Sequence, residues 1–155
     1  MDLRIAITDD LNSEREKLSS AIIAPFSKVG LNVGNIDEYT SGEELLRQFS
    51  AGRYDLIFLD IYMGGMSGVE TAKRIRVLDK NVMLVFVTTS NEFASESYDL
   101  NACYYLCKPF QADKVKAMLD RIGSDEIDRM RSVKLPDGQN VILRNVIYID
   151  LSLIH

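Results

Sequence analysis

One histidine and two cysteines are all that the 155 residues offer in imidazole or thiol ligands. The histidine is His155, the last residue, and the cysteines stand four apart in Cys103-Tyr-Tyr-Leu-Cys107. That excludes a zinc site of the usual kind, which needs four such ligands at short spacings. On a strand the two thiols would share a face about 13 Å apart, too far for a disulfide. They are therefore expected to be small buried side chains. There is no excess of positive charge either. Net charge is −5, so the chain as a whole is not expected to bind nucleic acid. No charged leader precedes a long apolar run, so neither a signal peptide nor a membrane span is expected, and the cytoplasm is the default location. Nucleotide-binding fingerprints are missing as well: no G-x-x-x-x-G-K-[ST], and no G-x-G-x-x-G after the first apolar run.

What remains is the composition of a soluble globular protein, 46% hydrophobic and 26% charged, long enough to bury a core without disulfides. Strand and helix signals alternate. Leu3–Thr8, Asn32–Tyr39, Leu56–Asp60, Val82–Thr88 and Cys103–Cys107 read as strands, the second of them weak. Helices are expected over Asn12–Val29, carried by Leu18, Ile22, Ile23 and Phe26, and from Ser41, which forms a capping box with Glu44. Further helices are expected at about Gly68–Leu78, Glu92–Leu100 and Gln111–Gly123. Apolar runs such as Leu56–Leu59 and Val82–Val87 have no polar face. Strands of that kind separated by helices predict an α/β fold, a doubly wound five-stranded parallel sheet. After Gly123 the pattern becomes β-rich, with a boundary at 125–131 and a Pro136-Asp137-Gly138-Gln139 turn in the tail.

In such a sheet ligands bind beyond the carboxyl ends of the strands. Those ends carry Asp9 and Asp10, Asp60, Thr88, and Lys108. Three carboxylates in one place repel, so a pKa must rise or a cation must sit among them. Hard oxygen ligands without His or Cys point to Mg²⁺. Asp60 is placed as a carboxylate nucleophile for phosphoryl transfer, with Lys108 and Thr88 set to stabilise the phosphoryl oxygens. The glycines at 64, 65 and 68 are expected to let backbone N–H groups approach an anion. Each residue alone has a plainer reading: Asp10 or Asn12 as a helix cap, Asp60 as a turn residue, Lys108 as a solvated lysine.

The segments ITDD, LIFLDIYMGGMSG, VFVTTS and YYLCKPF together resemble the phosphoacceptor receiver domain of bacterial two-component response regulators, over residues 1–124. The resemblance implies a flavodoxin-like sheet of order 2-1-3-4-5 and phosphorylation of Asp60 by a sensor histidine kinase. It also implies Mg²⁺ bound by Asp10, Asp60 and the Tyr62 backbone carbonyl, with Asp9 acting mainly through water. Thr88 and Lys108 would contact the phosphoryl group, Tyr105 would change rotamer with Thr88, and the Lys108–Pro109 bond would be cis. Gly64 departs from the family pattern, which usually has proline there. The tail, residues 132–155, resembles the opening strands of a LytTR-type DNA-binding domain and implies a truncated one. The expectation is a transcriptional switch, a homodimer tightened by phosphorylation, with DNA bound only through the intact C-terminal domain. The competing reading is a Mg²⁺-dependent phosphatase or phosphotransferase with an aspartyl nucleophile. Such enzymes usually carry Asp-x-Asp, and Asp60-Ile61-Tyr62 lacks the second acid.

Overall fold

The computed structural model describes residues 2–28, 30–89, 104–108 and 112–122. The helix expected at 92–100, Pro109, the boundary at 125–131 and the tail at 132–155 lie outside them. In chain order the elements are β1 (Asp2–Thr8), α1 (Asn12–Lys28), β2 (Asn32–Tyr39), α2 (Gly42–Gln48), β3 (Leu56–Asp60), α3 (Gly68–Leu78), β4 (Met83–Thr88), β5 (Tyr104–Cys107) and α4 (Ala112–Ile122). The strands form one parallel sheet in the order β2-β1-β3-β4-β5.

Every residue of β3 and β4 is buried, which is why both read as unbroken apolar runs. Alternation along the strand divides them between two cores. Leu56 and Phe58 join Ile5, Ile7 and Val85 beneath α1 and α4. Ile57 and Leu59 join Ala6, Leu84 and Phe86 beneath α2 and α3. β2 is an edge strand, mostly half-buried or exposed, and its signal in the sequence is correspondingly weak. β5 is also an edge strand among the described residues. There Leu106 is buried but Cys107 is exposed, so the expectation of a buried thiol fails for Cys107.

The helices are placed by local chemistry. Helix α1 buries Arg15, Leu18, Ile22 and Phe26, one stripe at spacings of three and four residues. Ile23, expected in that stripe, is turned about 100° away and is 48% exposed. The helix ends in a Schellman motif around Gly30, at φ 83°. Leu31 N–H bonds Phe26 O at 2.9 Å and Gly30 N–H bonds Ser27 O at 3.0 Å, while Phe26 and Leu31 share the core. Ser41 caps α2 as expected, its Oγ accepting from Glu44 N–H at 3.0 Å. Glu44 returns the contact to Thr40 N–H, one residue before the cap. None of the described helices is long and apolar enough to cross a membrane.

Candidate functional site

β1 and β3 are neighbours in the sheet, and the chain leaves them on opposite faces, β1 into α1 and β3 toward α3. A crevice forms where such a topology reverses. Asp9 and Asp10 follow the last residue of β1, and Asp60 is the last residue of β3. Oxygens of all three carboxylates lie within 4.8 Å of one another. Asp9 and Asp60 are buried, 5% and 6% exposed, while Asp10 faces solvent.

Lys108 enters from beyond β5. Its backbone N–H bonds Thr88 O at 2.6 Å, which ties it to the end of β4. Its Nζ lies 2.7 Å from Asp9 Oδ2 and 3.3 Å from Asp60 Oδ2. The carboxylate repulsion is thus relieved in both of the ways chemistry allows. A cation sits between two of the acids, and one acid has its pKa raised. Asp60 is pushed up from 3.8 to about 6, mainly by burial; Lys108 opposes the rise and Asp9 adds to it. On Lys108, burial works against the charge, but the hydrogen bond to Asp9 and the charges of Asp60 and Asp9 outweigh it and the pKa rises.

Each carboxylate also accepts one backbone N–H. Leu11 donates to Asp9 Oδ1 at 3.0 Å, Tyr62 to Asp60 Oδ1 at 3.2 Å, and Gly64 to Asp10 Oδ2 at 3.3 Å. The glycine-bearing loop therefore does more than leave space for an anion. The Gly64 N–H is directed at a carboxylate, and the Gly68 N–H is bonded to Ile61 O at 2.9 Å. Gly68 is required for close packing, because a Cβ there would stand 2.2 Å from Asp60 O.

The remaining predicted residues stand on neighbouring elements. Thr88, last in β4, is fully buried. Tyr105 is half-buried with its ring 5.6 Å from that of Phe86. Tyr62 is 49% exposed beside Asp60. Asn12 begins α1 and bonds Glu16 and Arg15. Arg15 is an addition to the residues expected from the sequence. Its guanidinium donates to Asp9 O at 2.7 Å, to Glu38 Oε1 at 3.1 Å and to Asn12 Oδ1 at 3.0 Å, fixing the turn that carries Asp9 and Asp10. The signal was present, since Arg15 stands three residues before Leu18 in the core stripe of α1.

The donor set suits a small hard cation. The carboxylate oxygens, within 4.8 Å of one another, can converge on one ion, and Mg²⁺ takes oxygen ligands at about 2.1 Å. Asp9, Asp10 and Asp60 are all oxygen donors, and Asp9 and Asp60 already hold an ammonium.

The chain has relatives among known proteins. Sensory transduction protein LytR of Staphylococcus haemolyticus is 32% identical over 108 residues, 66% of this chain and 41% of that protein. Transcriptional regulatory protein NatR of Bacillus subtilis is 33% identical over 119 residues, 77% of this chain and 49% of the relative. The chain thus spans about half the length, or less, of these two curated relatives. Among solved structures, response regulator TrrA of Thermotoga maritima, in complex with Mg²⁺-BeF, aligns with a TM-score of 0.59 and 34% identity over 77% of this chain and all of that one. The family model of the response regulator receiver domain matches residues 5–120. By sequence and by fold alike, the chain belongs to the response regulator receiver domain family.

Proposed function

We propose that this chain is a phosphoacceptor switch: Asp60 receives a phosphoryl group from a sensor histidine kinase in a Mg²⁺-dependent transfer. The supporting observation is the placement of Asp60 at the end of a wholly buried strand, with Lys108 Nζ at 3.3 Å and two further carboxylates beside it. An Asp60 carboxylate oxygen attacks phosphorus, and the bond from phosphorus to the kinase imidazole nitrogen breaks. With a pKa of about 6, Asp60 is mostly ionised at neutral pH and competent to attack. Lys108, already 3.3 Å from Asp60 Oδ2, supplies one donor to the transferred oxygens, and Thr88 supplies a second from the adjacent strand end. Asp10, Asp60 and the Tyr62 carbonyl would hold Mg²⁺, with Asp9 acting mainly through water. When bound, Mg²⁺ supplies positive charge opposite the phosphoryl oxygens. Asp60-Ile61-Tyr62 offers no second acid in that position for a small phosphate ester, which disfavours repeated turnover. Incubation with acetyl phosphate and Mg²⁺, followed by intact-mass and peptide measurement, should give one phosphoryl group on Asp60. Rapid turnover of varied phosphate esters would count for the enzyme instead.

Mg²⁺ affinity tests the ligand assignment. Removing a charge some 4 Å from a cation costs about 1 to 4 kcal/mol in a partly wet site. Asp10→Ala should therefore weaken Mg²⁺ binding by roughly tenfold or more. Asp9→Ala should weaken it less. With no tryptophan in the chain, tyrosine emission reports the titration, since Tyr62 adjoins the site. Unchanged affinity in Asp10→Ala would remove Asp10 from the ligand set.

The switch is read as a change of surface. As Thr88 moves toward the phosphoryl group, Tyr105 turns inward, biasing a two-state face built on β5, α4 and the segment 92–100. The output is a homodimer tightened by phosphorylation, acting in the cytoplasm on transcription. DNA is contacted through a LytTR-type domain of which 132–155 is only the opening portion. The tail from Asp125 on has no basic excess, so this chain itself should not bind DNA specifically. Sedimentation with and without beryllium fluoride should show tighter association in its presence; equal association constants would exclude dimerisation as the output.

A further inference from the structure

We propose that the backbone amide of Gly64 is a positioning group for the metal site, holding the Asp10 carboxylate in the orientation that binds Mg²⁺; this rests on the Mg²⁺ reading above. The three acids are not equally constrained. Asp9 is buried and held by Lys108 Nζ at 2.7 Å and by Leu11 N–H at 3.0 Å. Asp60 is buried and held by Lys108 and by Tyr62 N–H. Asp10 is exposed, and among the described residues the hydrogen bond its carboxylate accepts is that from Gly64 N–H, at 3.3 Å to Oδ2. Without that bond an exposed aspartate samples several rotamers, and a metal must select one of them.

The donor is fixed independently of Asp10. Gly68 N–H bonds Ile61 O at 2.9 Å, which closes the base of the loop. On the far side Met66 N–H bonds Glu43 Oε2 at 3.4 Å, and Gly65, at φ 78°, passes against the same carboxylate. The loop that carries Gly64 is therefore held by Glu43 of α2 and by Ile61 just beyond β3, and Asp10, just beyond β1, is oriented against it. A carboxylate has two oxygens, so Oδ2 can accept the amide while Oδ1 is left for a cation. Proline, which the family usually has at this position, has no N–H and could not make this contact.

Two substitutions separate the amide from the rest of the residue. A Cβ at Gly64 would meet nothing within 4 Å, and its φ lies outside the left-handed region, so Gly64→Ala keeps both the fold and the N–H. Gly64→Pro removes the N–H. Mg²⁺ titration followed by tyrosine emission should show Gly64→Ala within about twofold of the native protein and Gly64→Pro weaker by roughly three- to tenfold. At saturating Mg²⁺ the phosphorylation rates of the two should converge. Should Gly64→Pro fail to fold, NMR of the protein with Gly64 intact still decides the matter. Replacing Asp10 with asparagine should move the Gly64 amide proton upfield more than the amides of Met63 or Gly65. Equal Mg²⁺ affinities for the alanine and proline variants, or a Gly64 resonance indifferent to Asp10→Asn, would overturn the proposal. Absence of Mg²⁺ binding by the native protein would instead bring down the functional reading on which it rests.

Discussion

Asp60→Asn is expected to take up no phosphoryl group from acetyl phosphate or from a kinase, and yet to melt at a higher temperature than the native protein when Mg²⁺ is absent. The first half follows from chemistry. An amide is not a nucleophile toward phosphorus, and no other carboxylate ends a strand at that point. The second half follows from the raised pKa. Asp60 holds its proton with a pKa of about 6 in the folded protein against 3.8 for the ordinary group, chiefly because burial disfavours the charge. A folded state that binds a proton more tightly than the unfolded chain loses stability as pH rises between those two values. The cost is absent below about 4, grows from pH 4 to 6, and is complete above. Two pKa units set a ceiling of about 3 kcal/mol. The site opens to solvent through Asp10, and water screens the charge, so the expected gain in Asp60→Asn is about 1 kcal/mol at pH 7. The comparison is best made as a difference in melting temperature between the two proteins in chelator, from pH 4.5 to 7.5. Other titrating groups then largely cancel. A difference that shrinks as pH rises would mean that Asp60 is stabilised, not strained, as an anion. Phosphate incorporated fully into Asp60→Asn would displace the nucleophile assignment altogether.

The parts of this molecule that could be read from sequence are those where burial is symmetric. β3 and β4 are covered on both faces, so their runs of apolar residues are unbroken, and their ends fall where the polar residue begins: Asp60 and Thr88. The site follows, because in a parallel sheet the ends of strands far apart in sequence share one edge. What could not be read is which group satisfies which. Lys108 reads as a partner for a phosphoryl oxygen; the structure shows it 2.7 Å from Asp9 and 3.3 Å from Asp60, holding the acids together. Arg15 went unnoticed because an arginine in a helix is normally solvated, and only its register with Leu18, Ile22 and Phe26 betrays it. Ile23 erred in the opposite sense: adjacent to Ile22, it is apolar but lies outside the stripe. The roles of Gly64 and Gly68 depend on tertiary approach, which spacing along the chain does not encode.

Gly68→Ala should be among the most damaging small substitutions available, although alanine is the better helix former and Gly68 opens α3. In the helix alone the change would be worth up to about 1 kcal/mol of stabilisation. The added methyl, however, would stand 2.2 Å from Asp60 O and 2.9 Å from both Asp60 C and Ile61 Cα. These are backbone atoms of the chain leaving a wholly buried strand, so no side chain can swing aside to make room. Either α3 moves away or the Asp60 carbonyl does. Overpacking of this kind costs about 1 to 3 kcal/mol, sometimes more, and should exceed the helix gain, lowering the melting temperature by roughly 5 to 10 °C. The chemical consequence should be larger than the thermal one. The obstructed carbonyl belongs to Asp60, the proposed nucleophile, whose carboxylate is set by contacts of 3.2 Å to Tyr62 N–H and 3.3 Å to Lys108. A displacement of an ångström at a reacting group can cost on the order of 100-fold in rate. Phosphorylation by acetyl phosphate at saturating Mg²⁺, measured well below the melting temperature, should therefore fall by roughly 10- to 100-fold. Gly64→Ala, with open space around the new methyl, should leave the melting temperature unchanged. A Gly68→Ala protein that melts and phosphorylates like its parent would show that α3 can withdraw without disturbing Asp60, and that the close packing of helix on strand end is not what fixes the nucleophile.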